Sequence, residues 1–135
     1  MMVNITDGGR TAAGFKGKTK DCFVRAFSIA AGVDYREAYN LTRRTAKKHG
    51  APSPRHGVNR KTSDEILRAH GWQWVATMGI GTGCGVHLRA DELPAGRLIC
   101  RVSRHWVAVI DGVVHDNHDP TRGGSRCVYG YWFKP

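Results

Sequence analysis

Cys22, His105 and Asp116 are the residues whose types and order could carry covalent chemistry in this chain. Cys22 opens an apolar stretch that reads as a helix, and a thiol in the first turn of a helix feels the positive end of its dipole, which favours the thiolate. His105 begins an apolar run that Asp111-Gly112 turns back, and the return run ends at His115-Asp116. Five residues separate His105 from Asp111 and three separate Gly112 from Asp116. A two-residue hairpin turn therefore predicts a diagonal approach of His105 and Asp116, with the register off by about two. An acid so placed holds one imidazole nitrogen and leaves the other for a thiol, the arrangement needed for nucleophilic acyl transfer. Asn117 and Asp119 are alternative third members, because strand ends are read from sequence only to within a few residues. A lone helical cysteine is more often core than nucleophile. The ordered His and Asp give Cys22 its weight.

The elements that must position these groups divide into helices first and strands second. Phe23, Phe27 and Ala30 share a face of a helix that stops at Gly32, and Asp34 with Glu37 three residues on starts a second helix reaching His49-Gly50. Residues 51–57 read as a Pro/Gly loop, after which Ser63-Asp64-Glu65 predicts a cap for a short third helix ending at His70-Gly71. Beyond Gly71 the periodicity changes to strand-like runs over 72–77, 98–102, 105–110, 113–116 and 127–133, with a glycine-dense turn at 79–85 and one helical turn closed by Pro94. Helices followed by an antiparallel sheet of about 4–5 strands is an α+β layout, expected as one domain over residues 1–135 with 1–20 a flexible Gly/Lys-rich lead.

Composition bounds the function. In 135 residues, 41% hydrophobic content suffices for a core, and no run of about 18 apolar residues spans a bilayer. The lead lacks an apolar signal segment, so the expected location is cytoplasmic, with no membrane partner and with Cys22, Cys84, Cys100 and Cys127 as free thiols. The net charge is +10, of which residues 1–71 carry +8 (14 basic, 6 acidic) and residues 72–135 carry +2 (7 basic, 5 acidic). The excess peaks at Arg43, Arg44, Lys47, Lys48, Arg60 and Lys61, which fit a solvated helix face, a nucleic-acid site or a dock for an acidic protein. No zinc-finger spacing or aromatic-glycine RNA-binding signature is present.

Cys84-x-x-His87, His115-x-x-His118 and Cys127 have gaps compatible with zinc, but a structural zinc site shows two tight pairs, so loop and strand residues are expected there and no metal or cofactor is assigned. Gly79-x-Gly-x-Gly83 lacks the Lys-Ser/Thr and the strand–loop–helix setting of a phosphate loop. Trp106, beside His105, is either a cleft wall near substrate or plain sheet packing.

The order of Cys22 at a helix start, several helices, then His105 and Asp116 on successive strands resembles the papain-like cysteine peptidases, nearest to the compact bacteriocin-leader-peptidase group. Lys20-Asp21-Cys22-Phe23-Val24-Arg25-Ala26, Val33-Asp34-Tyr35 and His105-Trp106-Val107-Ala108-Val109-Ile110-Asp111-Gly112 with His115-Asp116 also resemble small uncharacterised bacteriophage and bacterial proteins. The resemblance implies a papain-like fold and a small cysteine hydrolase of the peptidase, isopeptidase or amidase type. In it Cys22 is the nucleophile, His105 the general base and acid, and Asp116 the residue orienting the imidazole, with a peptide or protein as substrate. Papain-like enzymes usually carry a Gln before the nucleophile, whereas residues 15–20 contain neither Gln nor Asn. The oxyanion donors would then be the Cys22 backbone N–H with Thr19, Lys18 or a nearby amide. The alternative is an inactive relative that uses its basic helical face to bind nucleic acid or an acidic host protein.

Overall fold

A computed structural model describes every residue except Pro52, which takes that position of the expected 51–57 loop outside the described residues. Helix α1 (Cys22–Ala31) ends on Gly32, whose φ of 69° is the left-handed conformation that closes a helix without a side-chain clash. Helix α2 (Tyr35–Lys48) begins at Asp34, whose carboxylate accepts from the Arg36 and Glu37 amides. Helix α3 (Arg60–Ala69) starts five residues before the expected Glu65. Asn59 is its cap, accepting from the Thr62 amide, and Ser63 instead returns its hydroxyl to the Arg60 carbonyl inside the helix.

The strands are β1 (Val3–Ile5), β2 (Gln73–Ala76), β3 (Arg97–Val102), β4 (His105–Ile110), β5 (Val113–Asp116) and β6 (Gly130–Phe133). They form one sheet in the order β1-β5-β4-β3-β6-β2. The fold is α+β, with six strands rather than the expected 4–5, and the sheet is mixed because β1 pairs parallel with β5. The first 20 residues, expected as a flexible lead, supply this edge strand and the turns that follow it. Arg10 within them is buried, with its guanidinium donating to the Tyr35 hydroxyl and the Lys16 carbonyl.

Both faces of the sheet are covered, which explains why β4 is buried at four consecutive positions. Trp106 and Ala108 join Phe23, Phe27, Ala30, Ile99 and Trp132 in the core beneath α1 and α2. Val107 and Val109 point the other way, into a second core with Leu88, Leu93, Leu98, Val102, Val114 and Val128. Residues 86–93 supply the cover for that second face. They are tied down by a disulfide between Cys84 and Cys127 and by backbone bonds from Val128 to Val86 and from Leu88 to Arg126. The bridge corrects the expectation of four free thiols, since only Cys22 and Cys100 are free. Of the described residues, no helix is long and apolar enough to cross a membrane.

Candidate active site

Three local decisions bring the candidate residues together. Asp21 occupies the cap position of α1, yet its carboxylate caps none of the first-turn amides and turns inward to Arg25 and Tyr35. The first-turn amides at the Cys22 end of the helix are therefore left without a side-chain cap. The Ser103-Arg104 turn, with Arg104 at φ 56°, sets His105 as the first residue of β4 opposite Val102. The Asp111-Gly112 turn has φ 48° and 77°, the left-handed pair of a tight hairpin, and aligns Val109 with Val114. That register puts Asp116 two positions off the partner of His105.

His105 Nε2 lies 2.6 Å from Asp116 Oδ2, leaving Nδ1 as the ring nitrogen available to a thiol. Cys22, His105 and Trp106 line one cleft of about 530 Å³. Burial pushes the Cys22 thiol up, but a hydrogen bond to His105, the imidazolium charge, the Trp106 backbone N–H and the Arg25 guanidinium outweigh it, so the thiol titrates below its ordinary value. Burial alone would lower His105; the Asp116 carboxylate and the Cys22 thiol instead raise it to about 8. Burial likewise works against the Asp116 carboxylate, and the His105 bond, the Asn117 amide and Arg25 hold it below the usual range. Cys100, the other free thiol, is buried without such partners and is pushed up to about 12. The pairing favours a thiolate and an imidazolium side by side.

Asp116 is the member of the three alternatives that meets His105. The Asn117 side chain accepts from Arg25 at 3.5 Å and faces His118 at 2.6 Å, while its backbone N–H donates to Asp116. Asp119 accepts from the amide and hydroxyl of Thr121 in a local turn. Thr19 lines the cleft with its hydroxyl buried and without a partner among the described residues, beside the exposed Lys18 and Lys20 of the same strap. Trp106 is packed edge-on against Phe23 at 5.6 Å and under Arg101, and it also borders the cleft.

Arg25 had no place among the candidates, although its spacing from Asp21 is that of a helical i,i+4 ion pair. It is buried between two carboxylates, bonded to Asp21 and lying 3.1 Å from Asp116 Oδ1. Behind it, the Tyr35 hydroxyl donates to Asp21 at 2.6 Å and receives a bond from Arg10 at 3.0 Å. A continuous buried chain thus runs from Arg10 to His105. His118 adds a second imidazole with its ring centroid 5.0 Å from that of His105, and ligand atoms of His105, Asp116 and His118 lie within 4.8 Å of one another. Arg25 already sits on that carboxylate, which opposes a second cation there.

The zinc-compatible residues are used otherwise. Cys84 and Cys127 bond each other, His87 faces Glu92 at 3.1 Å, and His115 bonds Asn4 at 3.0 Å. In the basic set, Arg43, Arg44, Lys47 and Lys61 are exposed and form no ion pair among the described residues. The fold brings Glu65 of α3 to Lys48 of α2 at 2.9 Å, while Arg60 pairs at 3.4 Å with Asp64 one turn on in its own helix. No family model, no curated protein and no solved structure matches this chain.

Proposed function

We propose that this protein is a small cysteine hydrolase of papain-like arrangement that cleaves a peptide, isopeptide or related amide bond. The observation that carries the proposal is the Cys22 thiol, lowered at an uncapped helix start, sharing a cleft with an imidazole held by Asp116 at 2.6 Å. In the first half-reaction the Cys22 thiolate adds to the acyl carbon, and the electron pair returning from the oxyanion expels the amine, which takes its proton from the His105 imidazolium. The product of this step is a Cys22 thioester. His105, now neutral, removes a proton from water, the hydroxide displaces the Cys22 thiolate, and a carboxylic acid leaves, which restores the thiolate and the imidazolium. Asp116 keeps the tautomer and compensates the imidazolium. The Cys22 backbone N–H and the Thr19 hydroxyl, which lines the cleft buried and without a partner among the described residues, are the oxyanion donors this reading assigns in place of the missing Gln.

The test is selective alkylation. At pH 6 iodoacetamide is expected to modify Cys22 at least tenfold faster than Cys100, and His105→Ala is expected to remove that advantage. Equal rates at the two thiols, or no effect of His105→Ala, sinks the proposal. The binding-protein alternative is supported by the unpaired, exposed Arg43, Arg44 and Lys47 on α2. It requires binding to a polyanion that falls steeply with salt and is lost when these residues are reversed in charge.

A further inference from the structure

A cavity of about 1040 Å³ lies beside the cleft of about 530 Å³ that holds Cys22. The two share a wall of Thr19, Lys20, Arg25, His56 and Asn117, so a chain lying across Cys22 runs directly from one into the other. The cavity is basic. Lys16, Lys18, Lys20 and Arg55 line it, are exposed, and form no ion pair among the described residues. Its two acids are spent internally: Asp7 accepts from the Gly9 and Thr11 amides, and Asp21 from Arg25 and Tyr35.

The strap that presents these cations is built in place. Arg10 donates to the carbonyls of Lys16 and Gly17 from one side. Arg55 donates to the Lys18 carbonyl from the other, and its own carbonyl accepts the Lys20 amide at 2.8 Å. A tied-down backbone that presents unpaired cations offers an anion site whose strap needs no refolding when the anion arrives.

We propose that the amide substrate carries an acidic side chain next to the bond that is cleaved, and that this carboxylate seats in the basic cavity against Lys18, Lys20 and Arg55. The inference rests on the cysteine-hydrolase reading and names its substrate class. A peptide carboxylate is favoured over a nucleic acid because the small His56 ring is the cavity's one exposed aromatic face. Phe15, its other aromatic lining residue, packs on Tyr35 and Tyr39 at 5.2 and 4.7 Å, and the guanidiniums of Arg10 and Arg36 lie over its ring.

Three peptidyl acyloxymethyl ketones that differ only in the residue next to the warhead (Glu, Gln or Lys) test this on the full chain, with the labelling rate of Cys22 read by mass spectrometry. Each rate is divided by the iodoacetamide rate at Cys22 in the same variant, which removes changes in the thiol itself. The Glu probe is expected to label on the order of tenfold faster than Gln, and Gln faster than Lys. The Glu advantage is expected to shrink as salt rises from about 50 to 500 mM and to reverse in Lys18→Glu/Lys20→Glu. Equal normalised rates for Glu and Gln, with Cys22 still singled out by iodoacetamide, overturn the acidic subsite and leave the hydrolase standing. Loss of Cys22 selectivity toward iodoacetamide overturns both. Protection of Cys22 by an oligothymidylate at concentrations where polyglutamate of equal charge gives none overturns the peptide assignment in favour of nucleic acid. The salt series needs no variant, so the outcome does not depend on how the substituted strap folds.

Discussion

Arg25 Nη2 lies 3.1 Å from Asp116 Oδ1 while the other oxygen of that carboxylate lies 2.6 Å from His105 Nε2, so one buried acid answers to two cations on different elements. The arginine comes from the second turn of α1, one turn beyond Cys22, and the acid from the end of β5. The pair therefore ties the helix carrying the thiol to the hairpin carrying the imidazole. On the hydrolase reading Arg25 would position the imidazole through Asp116, besides acting on Cys22 through its own charge.

Replacing Arg25 by Met leaves Asp21 and Asp116 buried without their shared cation, and breaking a buried pair in this way costs about 3–5 kcal/mol. Urea unfolding is expected to show that loss. A purely structural role would stop there. Because the Arg25 charge also helps lower the Cys22 thiol, the midpoint of its alkylation profile is expected to move to higher pH in Arg25→Met and to recover in part in Arg25→Lys. An unmoved midpoint would show that Arg25 holds the fold alone.

The shifted groups set a pH window. Cys22 is held below its ordinary 9.0 and His105 is raised to about 8, shifts that each favour the charged form of their group. Amide hydrolysis needs both charges and is expected to follow a bell whose alkaline limb falls at about 8. Iodoacetamide alkylation needs only the thiolate and is expected to have no alkaline limb. Stability follows the same groups. The His105 contribution is full below its usual 6.5 and is lost as pH rises through about 8, whereas that of Asp116 is full above its usual 3.8 and is lost as pH falls through its lower folded value. These two groups together place the stability plateau between about 4 and 6.5, and denaturation midpoints measured across pH 2–9 would check it.

The parts of this architecture legible in the sequence are those fixed by neighbours in the chain. Gly32 and Asp34 bound their helices through bonds spanning at most five residues, and the Asp111-Gly112 turn carries enough register information to put Asp116 diagonal to His105. What stayed hidden depends on distance along the chain. β1 is three residues pairing with a strand more than a hundred residues away, and Cys84 meets Cys127 across 43 positions with no spacing motif to mark it. The start of α3 was misplaced for another reason: Asn59 and the Ser63-Asp64 pair are both capable caps, and the buried Thr62 and Ser63 show that the fold uses the earlier one. Arg25 did carry a local signal, its i,i+4 spacing from Asp21, but only the fold brings Asp116 to the same guanidinium.

The Cys84–Cys127 bridge closes a long loop and pins the segment that covers the second core, so reducing it restores conformational freedom to the unfolded chain and loosens that cover. For a separation of 43 the chain-entropy argument gives about 4 kcal/mol, with typical bridges at about 2–4. In a Cys22→Ser background, which prevents exchange with the reactive thiol, dithiothreitol is expected to lower the unfolding free energy by that amount. Because the bridge lies on the Val107–Val109 face and Cys22 on the Trp106 side, the same reduction in the wild-type chain is expected to leave the iodoacetamide rate at Cys22 within about twofold in native buffer.

Asp116 and Asp119 are three residues apart and differ in what their carboxylates hold, which separates their roles by substitution. Asp116→Asn keeps the volume but offers an amide that can donate to His105 Nε2. The imidazole then presents an N–H rather than a lone pair to the thiol, the reversed tautomer that a positioned acid normally prevents. The Cys22 labelling rate at pH 7 is expected to fall at least tenfold, with the thiol midpoint returning toward 9. Asp119→Asn still accepts from Thr121 and never touches His105, so its labelling rate is expected to equal that of the wild type. If the two variants behave alike, Asp116 does not orient the imidazole and the 2.6 Å contact is structural.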